Sequence, residues 1–316
     1  MGCVRFLTDA DVRTATPRLT ELVDLAEEGL VALAQGRAEV PPKPAVHTSP
    51  TMFANAMPAA YPQRNLLGCK WISLVPDNPT RGLPTANGLM VVNDGTTGVP
   101  VCVMAAGELT AVRTAAVTGA CVRRLARTGP VTFLGAGVQA RSHLRVLSAL
   151  GVPEVRVWAR RRAALDELVR DAAHQAPALT IIPMNSAQAA VREATVVISG
   201  LTIGLTQTRL SPSWLAPQAL LLPLDYASSV GPDIAEAADM LATDDVVQFQ
   251  AVRAERAKLG DYPTPTTWTG HALTGPRPDG LVVVVNLGSA IGDLLVGDAI
   301  ATRAADLGLG TVLPGT

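Results

Sequence analysis

The fold is decided by the stretch VTFLGAGVQA, residues 131–140. Four apolar residues lead into the pattern G-x-G-x-x-A, and a helical pattern follows. Gly135 suits the tight turn, Gly137 lets the backbone approach a pyrophosphate, and Ala140 allows close packing of the helix. A helix N-terminus also favours a bound anion. The stretch therefore predicts a dinucleotide-binding strand, turn and helix; an ordinary strand-helix turn is the alternative.

Strands and helices continue to alternate beyond this stretch, as is typical of parallel strands with crossover helices. The further apolar runs are at 155–158, 179–182, 196–199, 219–225, 240–245 and 281–285. The sequence thus predicts an α/β fold with a Rossmann-type doubly wound parallel sheet. We place this domain at residues 129–286, because Gly129-Pro130 interrupts the preceding helix.

The N-terminal part has a different pattern. Residues 8–36 predict one amphipathic helix capped by Thr8, and residues 40–100 predict antiparallel strands and turns. A second helix is expected from Leu109 to about Arg127, and a last helix begins near Ser289. We therefore expect an α+β domain at residues 1–128, completed by residues 287–316.

Composition limits the class of protein. The chain has 48% hydrophobic and 17% charged residues and a net charge of −1. This favours a folded protein and disfavours a nucleic-acid partner. The four cysteines and four histidines form no metal-ligand pattern, so we expect free thiols, no metal and a cytoplasmic location. No apolar run approaches the ~18 residues of a membrane helix, so no membrane partner is expected.

The cofactor type is indicated after the second Rossmann strand. An NAD site usually has an acidic residue there, but this chain has Trp158-Ala159-Arg160-Arg161-Arg162. Guanidinium groups bind phosphate well, so Arg160 and Arg161 favour NADP(H). NAD(H) remains open, and some of these arginines are alternatively a solvated helix start.

Three further residues are candidates for substrate chemistry. Arg113 is expected in the first turn of its helix, where it would bind an anion or be a plain surface residue. Lys70 lies in an apolar strand, on the face opposite Trp71; a solvated strand face is the alternative. Asp225 ends a strand, and ligands of such sheets bind at the carboxyl ends of strands, so this residue is placed for proton transfer beside a nicotinamide. The alternative is an aspartate that caps a helix.

Several segments together resemble the ornithine cyclodeaminase/μ-crystallin family. They are KWISLVPDNP (70–79), GLPT (82–85), NDGTTGVP (93–100), LTAVRTAA (109–116), FLGAGVQA (133–140) and GSAIGDL (288–294). The resemblance implies a Rossmann domain, a substrate domain that pairs into a homodimer, and a redox reaction at the α-carbon of an amino acid or its imine.

The resemblance also implies residue roles. Lys70 and Arg113 would hold the substrate carboxylate, with Lys70 among the catalytic residues, and Asp225 would be the general acid/base. Substrate contacts would further come from Lys43, Asn55 and Leu287. Cofactor contacts would come from Thr85, Val138, Gln139 and Thr202, and we add Arg113, Leu222 and Asn286. These join Gly135, Gly137, Arg160 and Arg161, which the sequence pattern itself indicates.

Departures from the family pattern favour one reaction. Lys43 stands where an arginine is common, and Asn55 stands where ornithine cyclodeaminases have a glutamate for the distal amine. Residues 226–230 replace the usual P-G-K-x-E. We therefore expect an NADPH-dependent imine reductase or amino-acid dehydrogenase. The alternatives are an ornithine or lysine cyclodeaminase using NAD+, and a non-catalytic NADPH-dependent binding protein of μ-crystallin type.

Overall fold

The computed structural model describes residues 3–49, 52–255 and 258–315. The strands are β1 Cys3–Leu7, β2 Ala45–Ser49, β3 Met52–Tyr61, β4 Leu66–Leu74, β5 Ala86–Asp94, β6 Pro100–Ala105, β7 Val131–Leu134, β8 Glu154–Trp158, β9 Thr180–Pro183, β10 Val196–Ser199, β11 Leu220–Pro223, β12 Met240–Thr243, β13 Thr267–Trp268, β14 Val282–Val284 and β15 Thr311–Pro314. The helices are α1 Asp9–Ala15, α2 Leu19–Ala34, α3 Ala106–Leu125, α4 Val138–Ala149, α5 Arg162–Gln175, α6 Ala187–Val191, α7 Pro232–Glu236, α8 Val246–Ala254, α9 Thr269–Thr274 and α10 Ala290–Asp306.

The chain divides into two compact units. One consists of Met1–Arg113 with Ser289–Thr316, and the other of Thr114–Gly288. The division falls inside α3, whereas the sequence places the domain boundary at Gly129-Pro130. The last segment, Ser289–Thr316, belongs to the first unit.

The first unit contains a seven-stranded sheet in the order β15-β1-β6-β5-β4-β3-β2. Helix α10 packs on β3, β4, β5 and α2. Because side chains alternate along a strand, one face of the sheet is buried beneath this helix. Lys70, Met90 and Met104 lie on that face, whereas Trp71 and Leu89 are exposed on the other.

The N-terminal helix differs from the single helix predicted for residues 8–36. The Thr8 side chain caps α1 in a capping box with Asp11, as expected. The chain then leaves the helix at Thr16 and starts α2 at Leu19. Pro17 explains the interruption, since proline lacks the N–H of a helix interior and disfavours helical geometry in the residue before it.

Helix α3 starts earlier than the sequence indicates. It begins at Ala106, directly after β6, and not at Leu109. Arg113 lies about two turns into the helix rather than in the first turn. The expected anion site formed by this arginine and a helix N-terminus is therefore wrong, and any role of Arg113 must come from its side-chain contacts.

The second unit contains an eight-stranded sheet in the order β13-β12-β14-β11-β10-β7-β8-β9, and its described pairs are parallel. This confirms the doubly wound α/β fold. Chain order reverses at β7, where β8 lies on one side and β10 on the other. Ligands of such sheets bind outside the carboxyl ends of the strands at this position.

No helix within the described ranges is both long enough and apolar enough to cross a membrane.

Candidate active site

A cavity of about 260 Å³ opens at the carboxyl ends of β7, β8 and β10. Gly135 has φ +126°, and a Cβ there would lie 2.6 Å from the carbonyl oxygen of Gly200. Gly137 precedes α4, and a Cβ there would meet no atom within 4 Å. The first glycine is thus required by the turn, and the second leaves the helix N-terminus open to a ligand.

The cavity fits a nicotinamide dinucleotide. The Gln139 Oε1 atom, in the first turn of α4, is buried and has no hydrogen-bond partner among the described residues, although Gln139 itself is not a lining residue. Thr202 lines the cavity, as the resemblance implies. Gln207 and Thr208 also line it and were missed, because no local pattern links this 3-10 turn to the glycine turn.

Two of the three consecutive arginines face this cavity. Arg160 and Arg161 are among its lining residues and are exposed. Arg162 instead donates from Nε to Asp166 Oδ1 at 2.9 Å, which is the spacing of successive helical turns. No lining residue is acidic. Among the described residues, the edge of the cavity next to β8 therefore carries two cations and no lining carboxylate.

Asp225 lies beside the wall of this cavity. Its Oδ2 accepts a hydrogen bond from the backbone N of Leu201, a lining residue, at 3.1 Å. Its Oδ1 accepts from Ser229 Oγ at 2.7 Å, and Ser229 Oγ lies 2.5 Å from Ser199 Oγ. Asp225 caps no described helix, since α7 begins at Pro232 with Gly231 as its cap.

Burial controls the protonation of Asp225. The residue is 1% exposed, and loss of hydration raises the pKa of its carboxyl above the usual value. The hydrogen bonds from Ser229 and Leu201 act in the opposite direction and only partly offset burial. A carboxyl in this environment is suited to hold and release a proton.

A second charged group lies within the first unit. Lys70 is 0% exposed, so the solvated-face alternative is wrong. Its Nζ donates to Asp293 Oδ1 at 2.6 Å, and Arg113 Nε lies 2.8 Å from the same oxygen. Burial and then the nearby Arg113 charge lower the pKa of Lys70 to about 7, although Asp293 opposes both.

The remaining predicted substrate and cofactor residues do not line the cavity. Leu222 is buried within β11. Asn286 accepts from Thr269 Oγ1 at 2.7 Å, and the backbone N of Leu287 donates to Asp244 Oδ1 at 2.8 Å. Val138 begins α4 and is 67% exposed. Three others, Thr85, Lys43 and Asn55, belong to the first unit.

His143 has a structural environment. Nδ1 lies 2.7 Å from the Gln139 carbonyl oxygen and therefore donates, which leaves Nε2 to accept from Thr118 Oγ1 at 2.9 Å. Burial lowers the pKa of the imidazole to about 4. The ring is therefore neutral at physiological pH with both nitrogens satisfied.

The sequence pattern of the ornithine cyclodeaminase/mu-crystallin family matches residues 4–251. The chain belongs to this family. Among the family's curated relatives, the nodulation efficiency protein NfeD of Rhizobium meliloti is 32% identical over 98% of each chain. The N-((2S)-2-amino-2-carboxyethyl)-L-glutamate dehydrogenase of Staphylococcus aureus is 26% identical over 98% of this chain and 97% of that protein.

Solved structures of similar proteins have the same fold. The Thermococcus litoralis Δ(1)-pyrroline-2-carboxylate reductase, solved with NADH and L-proline, superposes with a TM-score of 0.84 at 20% identity, over 97% of this chain and 99% of that one. An archaeal alanine dehydrogenase, solved as a dimer with bound NAD, gives 0.83 at 23% identity over 99% of each chain. Both superpositions show that this chain has the same fold as these two proteins.

Proposed function

We propose that this member of the family is an NADPH-dependent reductase that acts on the C=N bond at the α-carbon of an imino acid. In the opposite direction the same enzyme would be an amino-acid dehydrogenase. The observation that carries the proposal is the buried Asp225 carboxylate, hydrogen-bonded to the wall of the dinucleotide cavity at the carboxyl edge of the parallel sheet. This is where an acid is needed if hydride is transferred to a carbon-nitrogen double bond.

The preference for NADP(H) is supported by Arg160 and Arg161. Two guanidinium groups without a neighbouring carboxylate favour a 2′-phosphate, whereas a ribose hydroxyl would be bound by an acidic residue. When bound, the nicotinamide supplies the hydride for reduction or accepts it for oxidation. The glycine turn and the N-terminus of α4 orient the pyrophosphate.

The substrate carboxylate is assigned to Lys70 and Arg113. Together with Asp293 they form a buried group of two cations and one anion, which leaves one positive charge for a bound carboxylate. Neutralising the carboxylate also makes the adjacent imine carbon easier to reduce. Lys43 adds a further positive charge near Lys70.

Asp225 is assigned the proton transfer. In the reductive direction the imine carbon gains a hydride and the nitrogen gains the carboxyl proton, so that C=N becomes CH–NH and the carboxylate is left ionised. The raised pKa of Asp225 keeps the protonated form accessible. In the oxidative direction the same carboxylate removes the proton from nitrogen.

Asn55 supports reduction over cyclodeamination. Cyclodeamination of a diamino acid uses an anchor for the distal ammonium, and the amide of Asn55 carries no charge. An amide is a weaker partner for an ammonium than a carboxylate, since it lacks the charge that strengthens the hydrogen bond. The full-length relative from Staphylococcus aureus, a dehydrogenase of an N-substituted amino acid, supports the same reaction class.

We further propose that a second copy of the chain covers the exposed face of the first sheet. Leu67, Trp71, Leu89 and Val101 are between 39% and 48% exposed on neighbouring strands. Adjacent apolar side chains of this size are uncommon on a surface that stays in water. The dimer solved for the archaeal alanine dehydrogenase supports this occupant.

The reaction is tested by following the oxidation of NADPH and of NADH with a panel of cyclic imino acids and of 2-oxo acids plus amines. Ornithine and lysine are assayed in parallel for ammonia release. NADPH oxidation with an imine supports the proposal. Ammonia release without net cofactor consumption refutes it and identifies a cyclodeaminase, whereas tight substrate binding without turnover identifies a binding protein.

A further inference from the structure

Asp293 has an unusual position for a residue that the sequence did not single out. It lies in the first turn of α10 and is 0% exposed. One oxygen, Oδ1, lies 2.6 Å from Lys70 Nζ and 2.8 Å from Arg113 Nε. The other, Oδ2, is buried and has no hydrogen-bond partner among the described residues.

The contacts leave most donors of the two cations unused. Lys70 has three N–H donors and Arg113 has five. Asp293 Oδ1 accepts a hydrogen bond from Lys70 Nζ, whereas its 2.8 Å contact with Arg113 Nε is an ion pair in which that nitrogen has no hydrogen-bond partner among the described residues. A carboxylate that meets both cations need not displace Asp293. The shared oxygen holds the Lys70 ammonium and the Arg113 guanidinium beside one another.

We propose that Asp293 is a positioning residue for the substrate carboxylate, holding Lys70 charged and beside Arg113 so that both bind the same carboxylate. This inference rests on the proposed function, since it concerns the cations assigned to the substrate. The ion pairs of Asp293 are with Lys70 and Arg113, so it acts through these two cations.

The charges around Lys70 explain why the Asp293 carboxylate is needed to keep Lys70 protonated. Arg113 on α3 and Lys43 before β2 both disfavour a protonated Lys70, as does burial. Among the described residues, the group that favours the protonated form is Asp293. Arginine does not lose its proton in proteins. If Asp293 is neutral, Lys70 is therefore the cation that becomes uncharged, and its pKa falls below about 7.

The test is the variant Asp293→Asn, which keeps the shape and one oxygen but removes the charge. We expect KM for the imino acid to rise more than ~10-fold near pH 7, with kcat changed less than ~3-fold, because the loss is in substrate binding. We also expect the difference in KM from the wild type to shrink as the pH is lowered below 7, since acid restores the Lys70 charge.

The matched control is Asp298→Asn, which removes a half-buried carboxylate from the same helix. Its KM is expected to equal that of the wild type at each pH. Affinity for NADPH is expected to be the same in all three proteins. A parallel loss of kcat, substrate affinity and NADPH affinity in Asp293→Asn, without recovery in acid, would show a merely structural residue and overturn the proposal.

A second variant covers the case in which Asp293→Asn does not fold. Asp293→Glu keeps the charge but moves it by one methylene. KM should therefore rise, while the pH at which KM changes half-way stays at the wild-type value. If that pH shifts as far as in the neutral Asp293→Asn variant, the proposal is overturned.

Binding of pyrrole-2-carboxylate, a planar carboxylate that has no C=N bond to reduce, tests the positioning role of Asp293 separately from the proposed reductase reaction. Calorimetric titration of the NADPH-bound protein measures its affinity without turnover. If the wild type turns over no imine, the proposed reaction fails, but weaker and acid-rescued binding by Asp293→Asn still supports the positioning role. Equal binding by wild type and variant overturns that role even where the reaction is confirmed.

Discussion

Replacing the two cavity arginines tests the cofactor preference most directly. Arg160 and Arg161 line the dinucleotide cavity, whereas Arg162 is paired with Asp166. Hydrogen bonds to charged groups contribute about 1.5–3 kcal/mol, and exposed groups lie at the low end of such ranges. With about 1.5 kcal/mol for each arginine, the Kd for NADPH should rise ~10-fold in Arg160→Ala or Arg161→Ala and ~100-fold in the double variant.

The assay is fluorescence titration of each variant with NADPH and with NADH. The Kd for NADH should stay within ~2-fold of the wild type, because NADH has no 2′-phosphate. Arg162→Ala is the matched control, since it removes the same charge from the adjacent position. An equal loss of NADPH affinity in this control, or a parallel loss of NADH affinity in Arg160→Ala and Arg161→Ala, would refute the assignment.

Four further substitutions test the second unit. Ser229→Ala removes a hydrogen bond that lowers the pKa of Asp225, so the alkaline loss of reductase kcat/KM should move to higher pH. An unmoved profile would exclude Asp225 as the acid. Gly135→Ala forces a Cβ to within 2.6 Å of a backbone oxygen at φ +126°, and NADPH affinity should fall at least ~10-fold; wild-type affinity would contradict the described turn. Thr118→Val leaves the buried Nε2 of His143 without a donor and should lower the free energy of unfolding in urea by about 1–3 kcal/mol; an unchanged midpoint would contradict this hydrogen bond. Because the pKa of His143 is lowered to about 4, the unfolded state binds more protons than the folded state between about pH 4 and 6.5, so stability should decline with acidification across this range, less steeply in His143→Gln.

The dinucleotide cavity could be predicted from sequence because its main determinants are contiguous. Strand β7, the two glycines and the start of α4 occupy residues 131–140, and the turn geometry itself requires glycine at Gly135. The same holds for Arg160 and Arg161, which directly follow β8. The assignment of these two arginines to a cofactor site depends on the α/β fold, and the alternation of strands and helices predicts that fold without long-range information.

Asp293 could not be predicted in this way. It is separated from Lys70 by 223 positions, and only the packing of α10 on β4 brings them together. Ser229 lies in a segment recognised only as a departure from the family pattern, and its role depends on the fold of the loop after β11. The start of α3 was missed for a local reason, since β6 continues directly into the helix without a cap residue.

The return of α10 to the first unit affects how the protein is made. During synthesis from the N-terminus, Lys70 and Arg113 leave the ribosome before the whole second unit, residues 114–288, and the helix that carries their counterion follows only afterwards. Until then the β-sheet of the first unit lacks the helix that covers its buried face, and two cations meant for its interior have no carboxylate. The second unit is contiguous and needs no later segment to complete its sheet. Nascent chains should therefore gain protease resistance in the dinucleotide-binding unit first, although it is encoded second.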